Sequence, residues 1–439
     1  MKAFYDTLKI GYGSCPTDCR ACEEACAKAR DGNVLEGGRI KSVHLPDQSF
    51  NGALTCIQCG EPQCQAVCPT GAIVKDAETG TVKVQEEKCV GCALCTLACP
   101  YGGIYYDQSK KKSFKCDRCD GDPKCVSACN YGVLSYPRNS VLRSHLKYED
   151  GFAQGASLCL GCPAELAIRV TSRIIGPEAV IFGSPGCASS LIIGMNAQAS
   201  TRLNGFFCLL DNTASSMTGV KRYFKKMGQD VRTVAFVGDG ATVDIGFQAL
   251  SGAAERGENI IYICYDNEAY MATGIQRSSS TSYLAWTNTT PIGKMRHGKE
   301  TPGKNVPLLM VFHGAPYVAT ATIGDMEDYA EKLEKAMAVK EGLSYIHLLS
   351  PCPTGWRADT DAAIEICKMA VETNYYPLWE AENGRFRMTR SVQKVRPVSD
   401  FTSLMGRYSH LEGESLQALQ RSVDDRFRLI QEVCQTWGG

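Results

Sequence analysis

The sequence lacks an excess of either charge. Across its 439 residues, 47 Lys and Arg balance 47 Asp and Glu. Affinity for a polyanion comes from neutralising phosphates, so this balance argues against a nucleic-acid partner. Long apolar runs are also missing. The longest uncharged stretch, 179–201, is broken by Gly, Ser, Pro and Asn, unlike the roughly 20 apolar residues that cross a bilayer, so no membrane is expected. The opening MKAFYDTLKIGYG has neither the apolar core nor the small-residue cleavage site of a secretory signal. A cytoplasmic setting is expected, and with it thiols that stay reduced rather than forming a disulfide scaffold. Histidine is scarce, six residues in all. His297 and His313 are candidates for proton transfer, although single histidines more often face solvent or serve structure.

What the sequence has in abundance is cysteine: 24 residues, 16 of them between Cys15 and Cys129. Reduced, they are available as thiolate ligands. They fall into four repeated quartets. The third, Cys89, Cys92, Cys95 and Cys99 followed by Pro100, is C-x2-C-x2-C-x3-C-P, in which three thiolates cap one iron–sulfur cubane and the fourth reaches a neighbouring cluster. Such short gaps curl backbone amides around the cluster, and the proline turns the chain away. The second quartet is Cys56, Cys59, Cys64 and Cys68 with Pro69, and GAIVKDAETGTVKVQ between the two reads as a hairpin turning near Thr79 and Gly80. The outer quartets, Cys15/Cys19/Cys22/Cys26 and Cys116/Cys119/Cys125/Cys129, have longer early gaps but keep three residues before the last cysteine. Zinc is the alternative, since C-x2-C pairs also build tetrahedral sites, but a zinc ribbon needs two pairs rather than four-cysteine runs.

On these quartets, residues 10 to 135 resemble the polyferredoxin electron-transfer subunits of bacterial oxidoreductases, with four [4Fe–4S] clusters on a duplicated α+β ferredoxin-like fold. The resemblance implies exchanged ligands. Cys15, Cys19 and Cys22 would share a cluster with Cys129, and Cys116, Cys119 and Cys125 with Cys26. Cys56, Cys59 and Cys64 would join Cys99, and Cys89, Cys92 and Cys95 would join Cys68. The basic run Lys110, Lys111, Lys112, Lys115 and Arg118 beside the fourth quartet is either a solvated face or a docking face for an electron acceptor.

Composition changes near residue 150, giving an expected division into 1–150 and 151–439 with a linker at 138–155. Beyond it, AVIF (179–182), TVAFV (233–237), NIIYICY (259–265) and VPLLMVF (306–312) read as buried parallel strands. Helical patterns at 325–340 and 361–373 alternate with them, so an α/β domain with helices on both faces is expected. At 414–437, Leu416, Leu419, Val423, Phe427, Ile430 and Cys434 share one face of an amphipathic helix, for its own domain or for a partner. The strand 233–237 runs into Gly238-Asp239-Gly240, and 259–265 into Asp266-Asn267-Glu268-Ala269-Tyr270. Both turns stand at strand carboxyl ends, where open α/β sheets bind ligands and helix N-termini offer free amides to an anion. Glycines let backbone approach a diphosphate, while Asp239 and Asn267 offer hard oxygens to Mg²⁺.

GDG followed about 27 residues later by Asn resembles the thiamine diphosphate motif. The run YDNEAYMATGIQRSSSTSYLAWTNTTPIGK makes residues 152 to 435 similar to the thiamine-binding subunit of 2-oxoacid:ferredoxin oxidoreductases. The resemblance implies Mg²⁺ held by the side chains of Asp239 and Asn267 and the carbonyl of Ala269, with Gly238, Gly240, Ala241 and Tyr270 contacting the cofactor. It also implies a fifth, proximal [4Fe–4S] cluster on Cys159 and Cys162 of CLGC, Cys187 of SPGCASS and Cys352 of SPCPTGW. Cys208, Cys264, Cys367 and Cys434 are left as ordinary thiols. Pro163-Ala164-Glu165 departs from the family's usual Gly and acid after CxxC, so no cofactor contact is carried over there. Ala272 stands where many relatives carry Asn, which suits a bulkier or less polar substrate than pyruvate. The implied reaction is oxidative decarboxylation of a 2-oxo acid with coenzyme A, typical of anaerobic metabolism, its electrons leaving through the clusters. No second thiamine module is present, so partner subunits are expected: a pyrimidine-binding subunit supplying the activating glutamate and substrate pocket, a gamma subunit, and a flavin subunit passing electrons to NAD or ferredoxin. The competing reading is an electron-transfer adaptor whose α/β region binds no thiamine.

Overall fold

The computed structural model describes residues 8–10, 15–16, 18–30, 38–45, 50–76, 79–131, 133–136, 142, 145–153, 158–188, 192, 201–392 and 394–438. The chain divides into two units, Met1–Ser140 and Val141–Gly439. Part of the expected linker, 138–141, 143–144 and 154–155, lies outside the described residues. Residues 145–153 pack within the second unit. The Tyr148 amide donates to the Arg173 carbonyl at 3.0 Å, and His145 Nδ1 lies 2.7 Å from Glu334 Oε2.

The first unit is a set of antiparallel pairs and short helices. The hairpins are Ile40–Leu45 with Phe50–Thr55, Ile73–Lys75 with Val82–Val84, and Ile104–Asp107 with Lys112–Lys115. The second of these is the one read from GAIVKDAETGTVKVQ. The third cysteine of every quartet rides on a short helix: Cys22 in Ala21–Lys28, Cys64 in Gln63–Ala66, Cys95 in Leu94–Ala98 and Cys125 in Lys124–Ser127. Their exposures of 8, 7, 7 and 7% show one repeated placement that turns these thiols inward. The basic run does not form a solvated face. Lys115 and Arg118 are buried and donate to the Val82 and Thr79 carbonyls, and Lys112 donates to those of Glu86 and Cys89. Only Lys110 and Lys111 are exposed, because the other cations are used to satisfy loop carbonyls.

The second unit is an eight-stranded sheet. Its strands are β1 (Val180–Gly183), β2 (Asn204–Phe207), β3 (Thr233–Gly238), β4 (Ile261–Asp266), β5 (Tyr317–Thr322), β6 (Ser344–Leu349), β7 (Trp379–Glu382) and β8 (Arg385–Met388). Their order is β2-β1-β3-β4-β6-β5-β7-β8, with every strand running the same way except β7, which is antiparallel to both β5 and β8. Along β3, Val234 and Phe236 face one apolar layer, with the helices Pro163–Ile175 and Met326–Ala338. Ala235 and Val237 face the other, with Thr213–Lys226, Phe247–Glu255 and Ile430 of the C-terminal helix Gly413–Trp437. Burial on both faces is why β3 and β4 are continuous apolar runs rather than alternating ones. One expected strand is a helix. Val306–Phe312 is capped by Asn305, whose side chain accepts from the Leu308 amide, with Pro307 in the first turn. A seven-residue apolar run has no period to separate strand from buried helix, and here the Asn-x-Pro start decides. Among the described residues no helix is long and apolar enough to cross a membrane.

Candidate functional site

Register places four loops at one edge of the sheet. Gly238 pairs with Tyr265, Asp266 with Leu349, and Phe182 with Ala235. The residues that follow β1, β3, β4 and β6 therefore emerge side by side, and they include Cys187, Asp239, Asn267 and Cys352. Asp239 is 1% exposed. Burial, then the charge of Asp266, hold its carboxyl well above the usual carboxylate range, against a bond from the Ser278 hydroxyl. As placed, the Asn267 side-chain oxygen lies 2.7 Å from the Ala269 carbonyl oxygen and 3.2 Å from Asp239 Oδ1, three acceptors with no proton between them. Turning the amide would satisfy them with its NH₂ group. A small divalent cation would do the same, since oxygens ~2.1 Å from Mg²⁺ stand about 3 Å apart along an octahedral edge. The residues present therefore fit a hard cation.

Buried ionic groups on two sides hold this loop. Asp266 accepts from the Ser280 hydroxyl and the Glu268 amide and pairs with His347 Nε2 at 2.8 Å, while His347 Nδ1 meets Tyr345 Oη at 2.6 Å. Glu268 takes a left-handed backbone (φ 61°) and accepts from the Ser282 hydroxyl and the Tyr375 hydroxyl, both at 2.9 Å. It also pairs with Arg407 at 3.0 Å. The Arg407 guanidinium lies 4.5 Å from the centre of the Trp356 ring, and Trp356 Nε1 donates to the Asn267 carbonyl at 2.8 Å. On the far side of the turn, Tyr270 donates to the Gly240 carbonyl. Any side chain at Gly240 would collide with the Tyr270 ring, so this glycine is required by close approach.

Cys159 and Cys162 of one segment, Cys187 and Cys352 are brought together from three separate places in the chain. Burial first, and then Cys352, Cys162 and Cys159, push the Cys187 thiol up to about 12. Asp239 acts on the same thiol, which places this group beside the converging oxygens. The Ala188 amide donates to Tyr265 Oη at 3.1 Å, tying the Cys187 loop to β4. Cys162 precedes the helix Pro163–Ile175, and Gly161 (φ 73°) has no room for a Cβ against the Thr360 carbonyl. The Gly355 amide donates to Cys352 Sγ at 3.3 Å. With Cys159 exposed and the other three partly buried, thiols that repel one another while amides point at their sulfurs are a poor arrangement for free cysteines and a good one for ligands of an iron–sulfur core.

The sixteen cysteines of the first unit form four comparable groups. Cys15 feels Cys19 and Cys129, and Cys22 feels Cys15 and Cys19. Cys125, pushed up to about 12 by burial first, feels Cys116, Cys26 and Cys119. Cys64 feels Cys56, Cys99 and Cys59. A cavity is lined by Cys68, Cys89, Cys92 and Cys95. Each group takes three cysteines from one quartet and one from another.

Comparison with known proteins agrees with this chemistry. Residues 183–348 match the model of the thiamine pyrophosphate enzyme C-terminal TPP-binding domain, and residues 49–139 that of a 4Fe-4S dicluster domain. The chain is 41% identical to the beta subunit of NADH-dependent phenylglyoxylate dehydrogenase from Aromatoleum evansii, over 99% of both chains. The chain belongs to the 2-oxoacid:ferredoxin oxidoreductase family. Other members include the pyruvate synthase subunit PorB of Methanothermobacter thermautotrophicus, 46% identical over 65% of this chain and 97% of that one. The ketoisovalerate oxidoreductase subunit VorB of Pyrococcus furiosus is 39% identical over 69% and 99%. As a member of this family, the chain is a subunit of a 2-oxoacid oxidoreductase that uses thiamine diphosphate and [4Fe–4S] clusters.

Within the family framework, His297 and His313 lose interest. His297 is exposed on Arg296–His297, and His313 bonds the Ser251 hydroxyl and the Leu309 carbonyl. The buried groups that shape the oxidoreductase site, Asp266 with His347 and Glu268 with Arg407, were missed. Asp266 and Glu268 flank Asn267 in sequence, a signal that was available, whereas His347 and Arg407 are joined to them only by the fold.

Proposed function

We propose that Asp239, Asn267 and the Ala269 carbonyl hold Mg²⁺ with thiamine diphosphate against Gly238, Gly240, Ala241 and Tyr270. The Asn267 side-chain amide standing 2.7 Å from the Ala269 carbonyl oxygen and 3.2 Å from Asp239 Oδ1 supports this reading. Bound there, thiamine diphosphate supplies a carbon nucleophile and a sink for the electron pair left as CO₂ departs. The residues of this chain orient the diphosphate end, keep Asp239 and Asn267 in register through the Asp266 and Glu268 networks, and exclude water from the metal side. Cys159, Cys162, Cys187 and Cys352 would hold a proximal [4Fe–4S] cluster and the four cysteine groups of the first unit four more, which when bound would supply one-electron carriers for the two electrons released. The overall change is R-CO-COO⁻ + CoA-SH → R-CO-S-CoA + CO₂ + H⁺ + 2e⁻. The activating carboxylate, the substrate pocket and the coenzyme A site are supplied by partner subunits, a pyrimidine-binding subunit and a gamma subunit, with a flavin subunit delivering electrons to NAD. The complex is cytoplasmic.

The substrate is phenylglyoxylate, converted to benzoyl-CoA. The observation that carries this choice is that similarity to the phenylglyoxylate enzyme spans both units, while the pyruvate and ketoisovalerate relatives match about two thirds of the chain. Ala272, two residues beyond Tyr270, removes a polar group from the loop and agrees with an aryl substituent. The test is CoA-dependent electron release by the assembled complex from phenylglyoxylate, pyruvate and branched-chain 2-oxo acids. Phenylglyoxylate is expected to give the highest kcat/KM; a higher value for pyruvate overturns the substrate assignment and leaves the family standing.

A further inference from the structure

We propose that Tyr265 is a positioning residue that sets the spacing between the cofactor loop and the loop of the proximal cluster, and so the rate at which that cluster takes electrons from the substrate. This rests on the reading of Asp239 as a metal ligand and Cys187 as a cluster ligand given above. Tyr265 is the last residue but one of β4 and pairs with Gly238 at the end of β3. It is 2% exposed and belongs to the apolar layer that also holds Phe236, Ala188 and the inner face of the helix Pro163–Ile175. Its ring stacks on that of Phe236, with centroids 5.1 Å apart and an angle of 18° between the planes. A ring held flat in a packed layer carries its hydroxyl to a fixed point.

That point lies between the two loops. The Ala188 amide donates to Tyr265 Oη at 3.1 Å, and a Cβ built on Gly186 would stand 3.1 Å from the same oxygen. Gly186 and Ala188 flank Cys187 in the chain. On the other side, a Cβ built on Gly238 would stand 3.3 Å from Oη and 3.4 Å from Cζ, and Gly238 precedes Asp239. One buried oxygen therefore packs against the residues on both sides of a cluster ligand and against the residue before a metal ligand. Glycine stands at both close approaches because a side chain at either would be tighter against Oη than ordinary contact allows. Close-packed interiors pass a displacement on rather than absorb it, so a change in this spacer moves one loop against the other. A misplacement of about 1 Å away from the chemistry can cost about a hundredfold in rate. Tyr265 acts through Cys187 and Asp239, not on the substrate.

The test uses the assembled complex with thiamine diphosphate and with Mn²⁺ in place of Mg²⁺. After reduction with dithionite, pulsed electron paramagnetic resonance reads the magnetic coupling between Mn²⁺ and the nearest cluster, which reports the spacing without turnover. Rapid mixing with phenylglyoxylate or pyruvate, whichever the complex turns over, then reads the reduction of the proximal cluster and the CO₂ released in the first turnover. Tyr265→Phe keeps the ring and removes the acceptor of the Ala188 amide. In it the coupling should differ from wild type and cluster reduction should slow about tenfold or more, while first-turnover CO₂ and iron content stay at the wild-type level. Gly238→Ala should change the coupling in the wild-type background and do little in the Tyr265→Phe background, because its methyl then meets only ring carbon at ordinary contact. A wild-type value of either the coupling or the reduction rate in Tyr265→Phe overturns the proposal. So does an equal fall in CO₂ release and cluster reduction, which marks general damage, and so do effects of the two substitutions that simply add. If Tyr265→Phe loses its cluster, Gly238→Ala decides alone: a changed coupling at full iron content supports the proposal, and an unchanged one overturns it. A wild-type complex with full iron and bound Mn²⁺ but no coupling would overturn the reading of the site itself, since metal and cluster would then lie far apart.

Discussion

In the second unit, the strand Ile261–Asp266 is buried at every position and has apolar layers on both sides. In the first unit, the two apolar clusters among the described residues are small, and cysteines stand at the centre of each. One is built on Cys22, Cys26 and Cys125 with Ile40, Ala53 and Leu134, the other on Cys64 and Cys95 with Ile73, Val82 and Ile104. A parallel sheet with helices on both faces can hold itself together by burying carbon. The first unit has no comparable reservoir, so its loops must be organised by what the thiols bind, as in small metal-dependent domains. The same residue, cysteine, therefore means different things in the two units: core material in the first, and in the second four scattered thiols beside four that come together.

The sharpest way to break that contrast is to remove the iron. Anaerobic chelation should abolish protection of backbone amides in the first unit while strands 233–238 and 261–266 keep theirs, as read by hydrogen exchange. Equal loss in both units would show that the clusters do not organise the first one. The next effect is Asp239→Ala. It should lower turnover by about a thousandfold or more, through several kcal/mol of lost charge stabilisation at the metal. Iron content should stay intact, because cofactor site and clusters are built from different residues. Measured thiamine diphosphate binding unchanged from the wild type would return the chain to the adaptor reading.

How much of this was legible in the sequence follows the same division. The quartets announce themselves because cubane geometry forces short gaps, so Cys89 to Cys99 could be read directly. The proximal cysteines could not. Cys187 and Cys352 are 165 positions apart and become neighbours only through the register of β1, β3, β4 and β6; resemblance to a family, not spacing, singled them out. Val306–Phe312 was misread because a short buried helix and a short buried strand share one composition. Lys115 and Arg118 were misread because a charge run says nothing of the carbonyls waiting beneath it. Asp239 and Asn267 stood out in the sequence as strand-end residues, but the pair Glu268 and Arg407 did not, since a buried ion pair between distant residues leaves no periodic trace.

A smaller perturbation separates cysteines within the second unit. Cys187→Ala should remove the signal of the proximal cluster and leave the global fold in place. Cys367→Ala, at a fully buried thiol packed among apolar residues, should cost about 1 kcal/mol of stability and leave every cluster signal unchanged. A normal cluster spectrum in Cys187→Ala would place that residue with the ordinary thiols.

The smallest expected effect probes the loop that joins metal site and cluster. Cys352 opens the short helix Pro353–Trp356, and Trp356 at its end donates to the Asn267 carbonyl while carrying Arg407 on its ring. Trp356→Phe removes only the donor and leaves an aromatic surface for Arg407. Partners in this outer position typically contribute about 10-fold to 100-fold in metal affinity. Because Arg407, Glu268 and the Asp266 network still hold the loop, the low end, about tenfold weaker Mg²⁺ binding, is expected by calorimetry. Iron content should be unchanged. Wild-type Mg²⁺ affinity in Trp356→Phe would show that Glu268 and Asp266 alone set the position of Asn267. Conversely, loss of the proximal cluster together with Mg²⁺ affinity would show that the two sites share one rigid support rather than a single hydrogen bond.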